Sequence, residues 1–232
     1  MLLPFFSSRL VKFFTMPFQK YEKIPRATIS RLAIYVQELE AMEQHGVKVI
    51  SSDKLAVSCG VNPSQIRKDL AYFGEFGVRG VGYYVSELKE AIKQSLGLDR
   101  TWNVALVGVG NLGRALLRHG LIRKRGFIIV GAFDCDPFKI GEEIAGLEVI
   151  CSSKLPDKTG ELRVEIGIIT TPPERAQRAA NYLVDAGIKG IVNFAPARIT
   201  APPGVAVEYV DFIHHLFSVA FNITQNQAKG LI

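Results

Sequence analysis

The chain has 232 residues, of which 48% are hydrophobic and 22% charged. That composition excludes a disordered chain and allows one large domain or two small ones, each with its own core. The formal net charge is +6, and residues 1–100 carry 14 Lys/Arg against 10 Asp/Glu, so the excess leans toward the N-terminal part and permits a polyanion partner there.

The first residues, M-L-L-P-F-F-S-S-R-L-V-K-F-F, are apolar, but Pro4, Arg9 and Lys12 interrupt every run and no small-x-small cleavage site follows. Residues 1–22 are read as a poorly ordered extension, with Met16 as an alternative start. No later stretch approaches the roughly 20 apolar residues of a membrane span. Three cysteines, Cys59, Cys135 and Cys151, form no C-x-x-C pair. A disulfide framework and a zinc site are therefore not expected, and a reducing, cytoplasmic setting fits. Small buried side chains are the plain reading of the three thiols; a thiol input is the sharper one.

Ile29, Leu32, Val36, Leu39 and Met42 recur at spacings of three and four, one face of a helix that Gly46 ends. Ser51 and Ser52 are placed to cap a short second helix running to Cys59-Gly60. Asn62 then stands at an N-cap, Pro63 at the first helical position, and Gln65 where a capping box needs it. Two helices joined by a short turn containing glycine make a helix-turn-helix. In the third helix Ile66, Leu70 and Phe73 face the core. Ser64, Arg67, Lys68 and Ala71 form another stripe, small and cationic, suited to a major groove. The stretch 74–85, G-E-F-G-V-R-G-V-G-Y-Y-V, is expected to form a β-hairpin with Arg79 at its tip, a wing beside the recognition helix. The candidate DNA-contacting residues are Ser64, Gln65, Arg67, Lys68, Ala71, Tyr72 and Arg79. The plain alternative is a solvated helix face and a structural hairpin. Ser86 is expected to cap a fourth helix that Gly97 ends.

W-N-V-A-L-V (102–107) is an apolar run of strand length. G-V-G-N-L-G (108–113) follows at once, and a helical pattern covers Arg114 to His119. A lone G-x-G-x-x-G is weak, but here it closes a strand and opens a helix, as a pyrophosphate loop must. Gly108, Val109, Gly110, Asn111, Leu112 and Gly113 are the candidate loop. F-I-I-V-G-A-F-D ends a second strand at Asp134, about 20 residues on, where a carboxylate accepts ribose hydroxyls and repels a 2′-phosphate. No Lys or Arg follows until Lys139, which favours NAD(H) over NADP(H). Asp136 is a near rival. A short strand is read at 147–150, strands running into loops at 165–173 and 190–196, and a helix from Glu174 to Ala186. This rhythm predicts a parallel sheet with helices on both faces. Thr170, Thr171 and Pro172 follow one strand; Asn193, Phe194 and Ala195 close the next and are placed to line the nicotinamide end. No catalytic constellation and no metal site is read.

The segment from Asp211 to Ile223, D-F-I-H-H-L-F-S-V-A-F-N-I, is apolar almost all round a helix. Such a helix needs cover on several sides. It is expected to pack against a second subunit or between domains, with His214 and His215 as packing residues.

I-P-x-A-T-I-S-R-L at 24–32, Q-I-R-K-D-L-A-Y-F-G at 65–74, R-G-V-G-Y at 79–83 and V-G-V-G-N-L-G at 107–113 resemble the Rex family of redox-sensing transcriptional repressors. The resemblance covers about residues 23 to 227. It implies an α/β chain with a winged-helix domain at 23–98, a doubly wound Rossmann domain at 101–210 and a swapped dimerisation helix at 211–227. It further implies a homodimer that binds an inverted-repeat DNA operator, senses NAD and NADH, and is released by NADH. Arg31 and Asp211 match charged family positions near the domain junction and are expected to pair in one state only. Two other classes share parts of the pattern: an NAD-dependent oxidoreductase, which needs an acid/base group and a substrate pocket, and a CoA-binding ligase-type domain, which leaves the winged helix unexplained.

Overall fold

The computed structural model describes residues 24–231, so the expected extension at 1–22 lies outside the described residues. The chain divides into two compact units that meet between Asp99 and Arg100.

The first unit begins with α1 (Arg26–Gln44), which Gly46 ends in the left-handed conformation. Its buried face is Thr28, Leu32, Tyr35, Val36 and Leu39. Ile29, expected on that face, is 41% exposed, and Tyr35 is fully buried instead. The buried stripe is thus turned by one position toward Tyr35, whose hydroxyl finds an interior partner. After β1 (Val49–Ile50), α2 (Ser52–Cys59) starts with the Ser51 hydroxyl accepting from the Lys54 N–H and ends at left-handed Gly60. In α3 (Pro63–Ala71) the Asn62 side chain accepts from the Gln65 N–H at 2.8 Å. The reciprocal half of the expected capping box is not made, because the Gln65 amide donates to Asp69 at 2.8 Å.

The expected hairpin over 74–85 is also reduced. Its tip closes through a single antiparallel bridge, Val78 to Gly82, while β2 (Tyr83–Tyr84) pairs with β1. Four glycines within residues 74–82 leave few side chains to hold a longer ladder. α4 (Val85–Ser95) has its N-cap at Tyr84, two residues earlier than expected, and Ser86 lies inside its first turn without capping it. One core, built from Leu32, Tyr35, Leu39, Leu55, Ile66, Leu88 and Ile92 among others, joins these helices. Each fully buried Leu or Ile contributes roughly 1.5–3 kcal/mol.

The second unit is a sheet with helices on both faces. Its elements are β3 (Trp102–Val107), α5 (Asn111–Arg118), α6 (Gly120–Lys124), β4 (Phe127–Asp134), β5 (Glu143–Ile144), β6 (Leu147–Cys151), α7 (Leu155–Leu162), β7 (Ile166–Ile169), α8 (Pro173–Asp185), β8 (Gly190–Asn193) and β9 (Ala206–Tyr209). The strand order is β5-β6-β4-β3-β7-β8-β9. All neighbours are parallel except β5, which folds back on β6. Counted from β3, the parallel strands lie in the order 3-2-1-4-5-6 of dinucleotide-binding sheets. The direction of winding reverses between β3 and β7, so a crevice opens above their carboxyl ends. β3 is buried from Val104 to Val107, as a strand covered on both faces must be. One layer packs α7 and α8 through Leu155, Ala176, Ala180 and Leu183; the other packs α5 through Leu116 and Leu117.

The helix after the glycine loop starts at Asn111 and not at Arg114, with Gly110 as its N-cap. The last helix, α9 (Ile213–Ala228), has no buried residue in the single chain. Phe212, Phe217 and Phe221 are each more than 60% exposed.

Candidate functional site

In the first unit, Ser64, Arg67, Lys68 and Ala71 share the exposed side of α3, and Arg79 is exposed at the tip of the loop. Arg67 Nη1 donates to Ser52 Oγ at 2.9 Å, which tethers it to the start of α2. Tyr72 is half-buried and packs against the core. Gln65 is half-buried and engaged with Asp69.

Asp69 is fully buried and was not singled out from the sequence. It accepts from Arg31 Nε at 2.6 Å and Nη2 at 2.8 Å, Tyr35 at 2.8 Å, Gln65 at 2.8 Å and Thr28 at 3.1 Å. Burial opposes its charge, but the hydrogen bonds from Arg31, Tyr35, Gln65 and Thr28 outweigh it and hold the carboxyl below the usual range. The same bonds raise the Arg31 pKa, chiefly through the Asp69 hydrogen bond. Arg31 is therefore engaged within its own unit. Asp211, its expected partner, caps the Ile213 N–H at 2.9 Å and lies 3.4 Å from His214. The signal for Asp69 was in its position: an acid three residues after Ile66 and just before Leu70 lies on the apolar stripe of α3.

In the second unit, a cleft of about 570 Å³ opens above the carboxyl ends of β3, β4, β6 and β7. Among the expected residues, Gly108, Gly110, Asp134, Thr170, Thr171 and Pro172 line it together. Gly108 has φ +106°, and a Cβ there would meet the backbone between Thr170 and Thr171 at 2.7–2.8 Å. Gly113 packs so closely that a Cβ would lie 2.1 Å from the Gly108 carbonyl oxygen. Gly110 faces open space. No side chain caps α5, so its first N–H groups and its positive dipole end are free for an anion. Thr170 Oγ1 donates to the Gly108 carbonyl at 2.6 Å, whereas the buried Thr171 Oγ1 has no hydrogen-bond partner. A buried hydroxyl left unpaired costs about 1–3 kcal/mol.

Asp134 is 5% exposed. Its Oδ2 accepts from the Val109 N–H at 2.7 Å and from Lys139 Nζ at 3.2 Å; its Oδ1 accepts from the N–H groups of Cys135 and Asp136 at 2.8 and 3.0 Å. Burial pushes its pKa up, but the Asp136 and Val109 N–H groups and the Lys139 ammonium outweigh that and hold it low. Lys139 thus does sit beside the carboxylate, because the turn after β4 folds it back. The expected exclusion of a 2′-phosphate cannot rest on an absence of cations.

The other expected residues do not line the cleft. Val109 is fully buried and contributes its N–H to Asp134. Asn111 and Leu112 are exposed on the first turn of α5. Asn193 is buried and bonds the Ala195 N–H and the Ala197 carbonyl, shaping its own loop. Ala195 is core, and Phe194 is half-buried beside it. The sequence reading missed Cys135, Cys151, Ser152, Ser153, Arg175, Arg178 and Tyr182, which also line the cleft. Arg175 and Arg178 lie one turn apart on α8, for which the sequence suggested a helix but no site residue. Among the described residues no cluster of side chains can hold a metal, and no helix is long and apolar enough to cross a membrane.

Two family models match: a putative DNA-binding protein N-terminus over residues 23–71 and a CoA binding domain over residues 99–197. The repressor Rex of Maridesulfovibrio salexigens is 70% identical over 88% of this chain and 98% of its own length. The Rex repressor of Solidesulfovibrio magneticus is 66% identical over 88% of this chain and 93% of its own length. Both are described as redox-sensing transcriptional repressors, not as enzymes, and the match takes in both units. Among solved structures, the Rex-family repressor RSP in complex with NAD⁺ and operator DNA superposes with a TM-score of 0.83 at 38% identity, over 90% of this chain and 96% of that one. RSP in complex with NADH gives 0.81 at 37% identity, over 90% and 99%. The helix-turn-helix with its basic face, the glycine loop at the switch point of the sheet and relatives matched nearly end to end agree: the chain belongs to the Rex family of redox-sensing transcriptional repressors.

Proposed function

We propose that the chain acts in the cytoplasm as a homodimer that binds an inverted-repeat operator through α3 and the Arg79 loop and leaves it when NADH fills the cleft. The observation that carries the ligand half is the cleft itself: an uncapped helix N-terminus and an unpartnered Thr171 hydroxyl at the switch point of the sheet. The pyrophosphate would lie against Gly108, Gly110 and the N–H groups at the start of α5. The adenosine would extend past Asp134 toward Cys151 and Arg178. The dimer half is supported by α9, whose apolar side chains stay exposed among the described residues and need cover.

Ligand and DNA are coupled if NADH and the operator prefer different arrangements of the dimer. Recognition helices must reach half-sites about one helical turn apart, roughly 34 Å, so a modest rotation suffices to break the fit. The test is a titration of a fluorescent two-fold symmetric duplex at fixed salt, repeated with saturating NAD⁺, NADH and CoA. Release by NADH alone supports the proposal. Binding indifferent to NADH, or release by CoA, overturns it.

A further inference from the structure

The cleft holds more positive charge than NADH needs. In the reading above the pyrophosphate takes the glycine loop and the start of α5, yet Lys139, Arg175 and Arg178 also line the cleft, against a single carboxylate, Asp134. Contacts tie these cations to the strand ends around Asp134. Arg175 Nη1 donates to the sulfur of Cys135, the residue after Asp134, at 3.1 Å. Lys139 Nζ lies 3.2 Å from Asp134 Oδ2 and 3.6 Å from Asp136 Oδ2. Its backbone is fixed there, because the Lys139 and Ile140 N–H groups both donate to the Asp136 carbonyl, at 3.0 and 3.2 Å. Cys151, at the end of β6, is the register partner of Asp134. The Ser153 hydroxyl and N–H lower its pKa, and the charges of Lys154 and Arg178 add to that, which sets Arg178 near the same strand end. Arg178 Nε donates to the Tyr182 hydroxyl at 3.0 Å, which steadies the guanidinium.

Asp134 does not oppose a phosphate as a bare carboxylate would. It is buried, and its two oxygens accept three N–H groups and the Lys139 ammonium. An ammonium carries three donors, of which Asp134 and Asp136 engage two. The third is left for a ligand. Guanidinium groups bind phosphate oxygens through paired, charge-assisted hydrogen bonds. An Arg beside the adenosine ribose is how dinucleotide-binding sheets hold a 2′-phosphate. A plain 2′-hydroxyl, by contrast, finds the carboxylate occupied and leaves the three cations unneutralised. We propose that the cleft accepts a 2′-phosphorylated dinucleotide, so that NADPH is a second ligand whose 2′-phosphate binds Lys139, Arg175 and Arg178. The inference rests on the dinucleotide reading above. The protein then answers to the reduced nicotinamide of both dinucleotides, and NADPH releases the operator as NADH does.

The full-length protein is titrated with NADH, NADPH and CoA by calorimetry, and NADH and NADPH are each added to the protein on a fluorescent operator duplex. The expected result is an NADPH affinity within about tenfold of that for NADH, falling more steeply with added salt, and release of the duplex by both. Arg175→Ala and Lys139→Ala should each weaken NADPH about tenfold or more relative to NADH. Arg175 is exposed, so its variant keeps the parent melting temperature and isolates the ligand contact. NADPH weaker than NADH by more than about tenfold overturns the proposal, as does NADPH that binds without releasing the duplex. An equal loss of both ligands in Arg175→Ala overturns it too, because the guanidinium would then serve a group that they share. CoA carries its ribose phosphate at the 3′ position, and an affinity for it equal to that for NADPH overturns a site for the 2′-phosphate. NADH binding without NADPH removes this proposal alone; if NADH itself fails to bind, the dinucleotide reading falls and the proposal with it.

Discussion

The Val109 N–H donates to the Asp134 carboxylate at 2.7 Å, tying the glycine loop after β3 to the end of β4. Asp134 also accepts from two further N–H groups and from Lys139, so both oxygens are occupied before any ribose arrives. The carboxylate therefore sets the shape of the loop, and a ribose hydroxyl reaches it only by displacing Lys139. Asp134→Ala orphans three backbone donors. We expect a loss of about 3 kcal/mol and of NADH binding together, read by thermal unfolding and by energy transfer from the single Trp102. Because the folded pKa is depressed, this stabilisation is present above about pH 4 and disappears as pH falls through the folded value. Acid titration of the alanine variant should lack that component.

Two of the loop glycines separate by cause. Gly113→Ala drives a methyl group into the Gly108 carbonyl oxygen and should destabilise the second unit outright. Gly110→Ala meets nothing within 4 Å and should fold with an unchanged melting temperature. Its methyl group would nevertheless stand where backbone must approach the pyrophosphate, so NADH affinity should fall about tenfold or more. Equal affinity in Gly110→Ala and the parent protein would remove the pyrophosphate from this loop.

Much of this was legible in the sequence because local chemistry is written locally. Asn62-Pro63 gave the start of α3, and strand, glycine loop and helix gave β3 to α5. What was not legible depended on neighbours distant in sequence. Gln65 fits a capping box by spacing, yet Asp69 captures its amide. Asn193 ends a strand as a ligand residue would, but the loop after it folds back and uses both ends of its amide. Arg175 and Arg178 reach the cleft only because α8 packs behind β7, a placement that periodicity does not specify. Short β9 has no sequence signal stronger than A-V-E-Y.

On the first unit, Lys68→Ala removes an exposed cation from the face of α3. Operator affinity should fall, and the salt dependence of binding should lose about one counterion in slope, whatever the sequence of the duplex. Arg67→Ala should also weaken binding, and a loss of discrimination between operator and scrambled duplex would identify it as the base-reading residue. Loss of slope alone would make it a phosphate contact.

Asp69 anchors the same face from inside. Removing its carboxylate leaves Tyr35 and Gln65 without their acceptor and Arg31 without its counter-ion. Asp69→Ala should cost about 3 kcal/mol and unfold the first unit before the second. Its folded pKa lies below the ordinary value, so its contribution is complete above about pH 4 and is lost at lower pH as the folded group protonates. Gln65→Ala should weaken DNA binding through stability alone; an affinity loss with unchanged melting would instead put the Gln65 amide on the DNA.

Thr171 offers the sharpest test of the cleft, because its hydroxyl is buried and has no partner. Valine keeps the shape and removes the oxygen. In the ligand-free protein Thr171→Val loses no hydrogen bond and sheds the cost of burying an unpaired group, so the melting temperature should hold or rise. If the hydroxyl bonds the dinucleotide, NADH affinity should fall by about one hydrogen bond, roughly three- to tenfold. A variant that is both less stable and unchanged in affinity would mean that the Thr171 hydroxyl serves the fold and that the ligand lies elsewhere in the cleft.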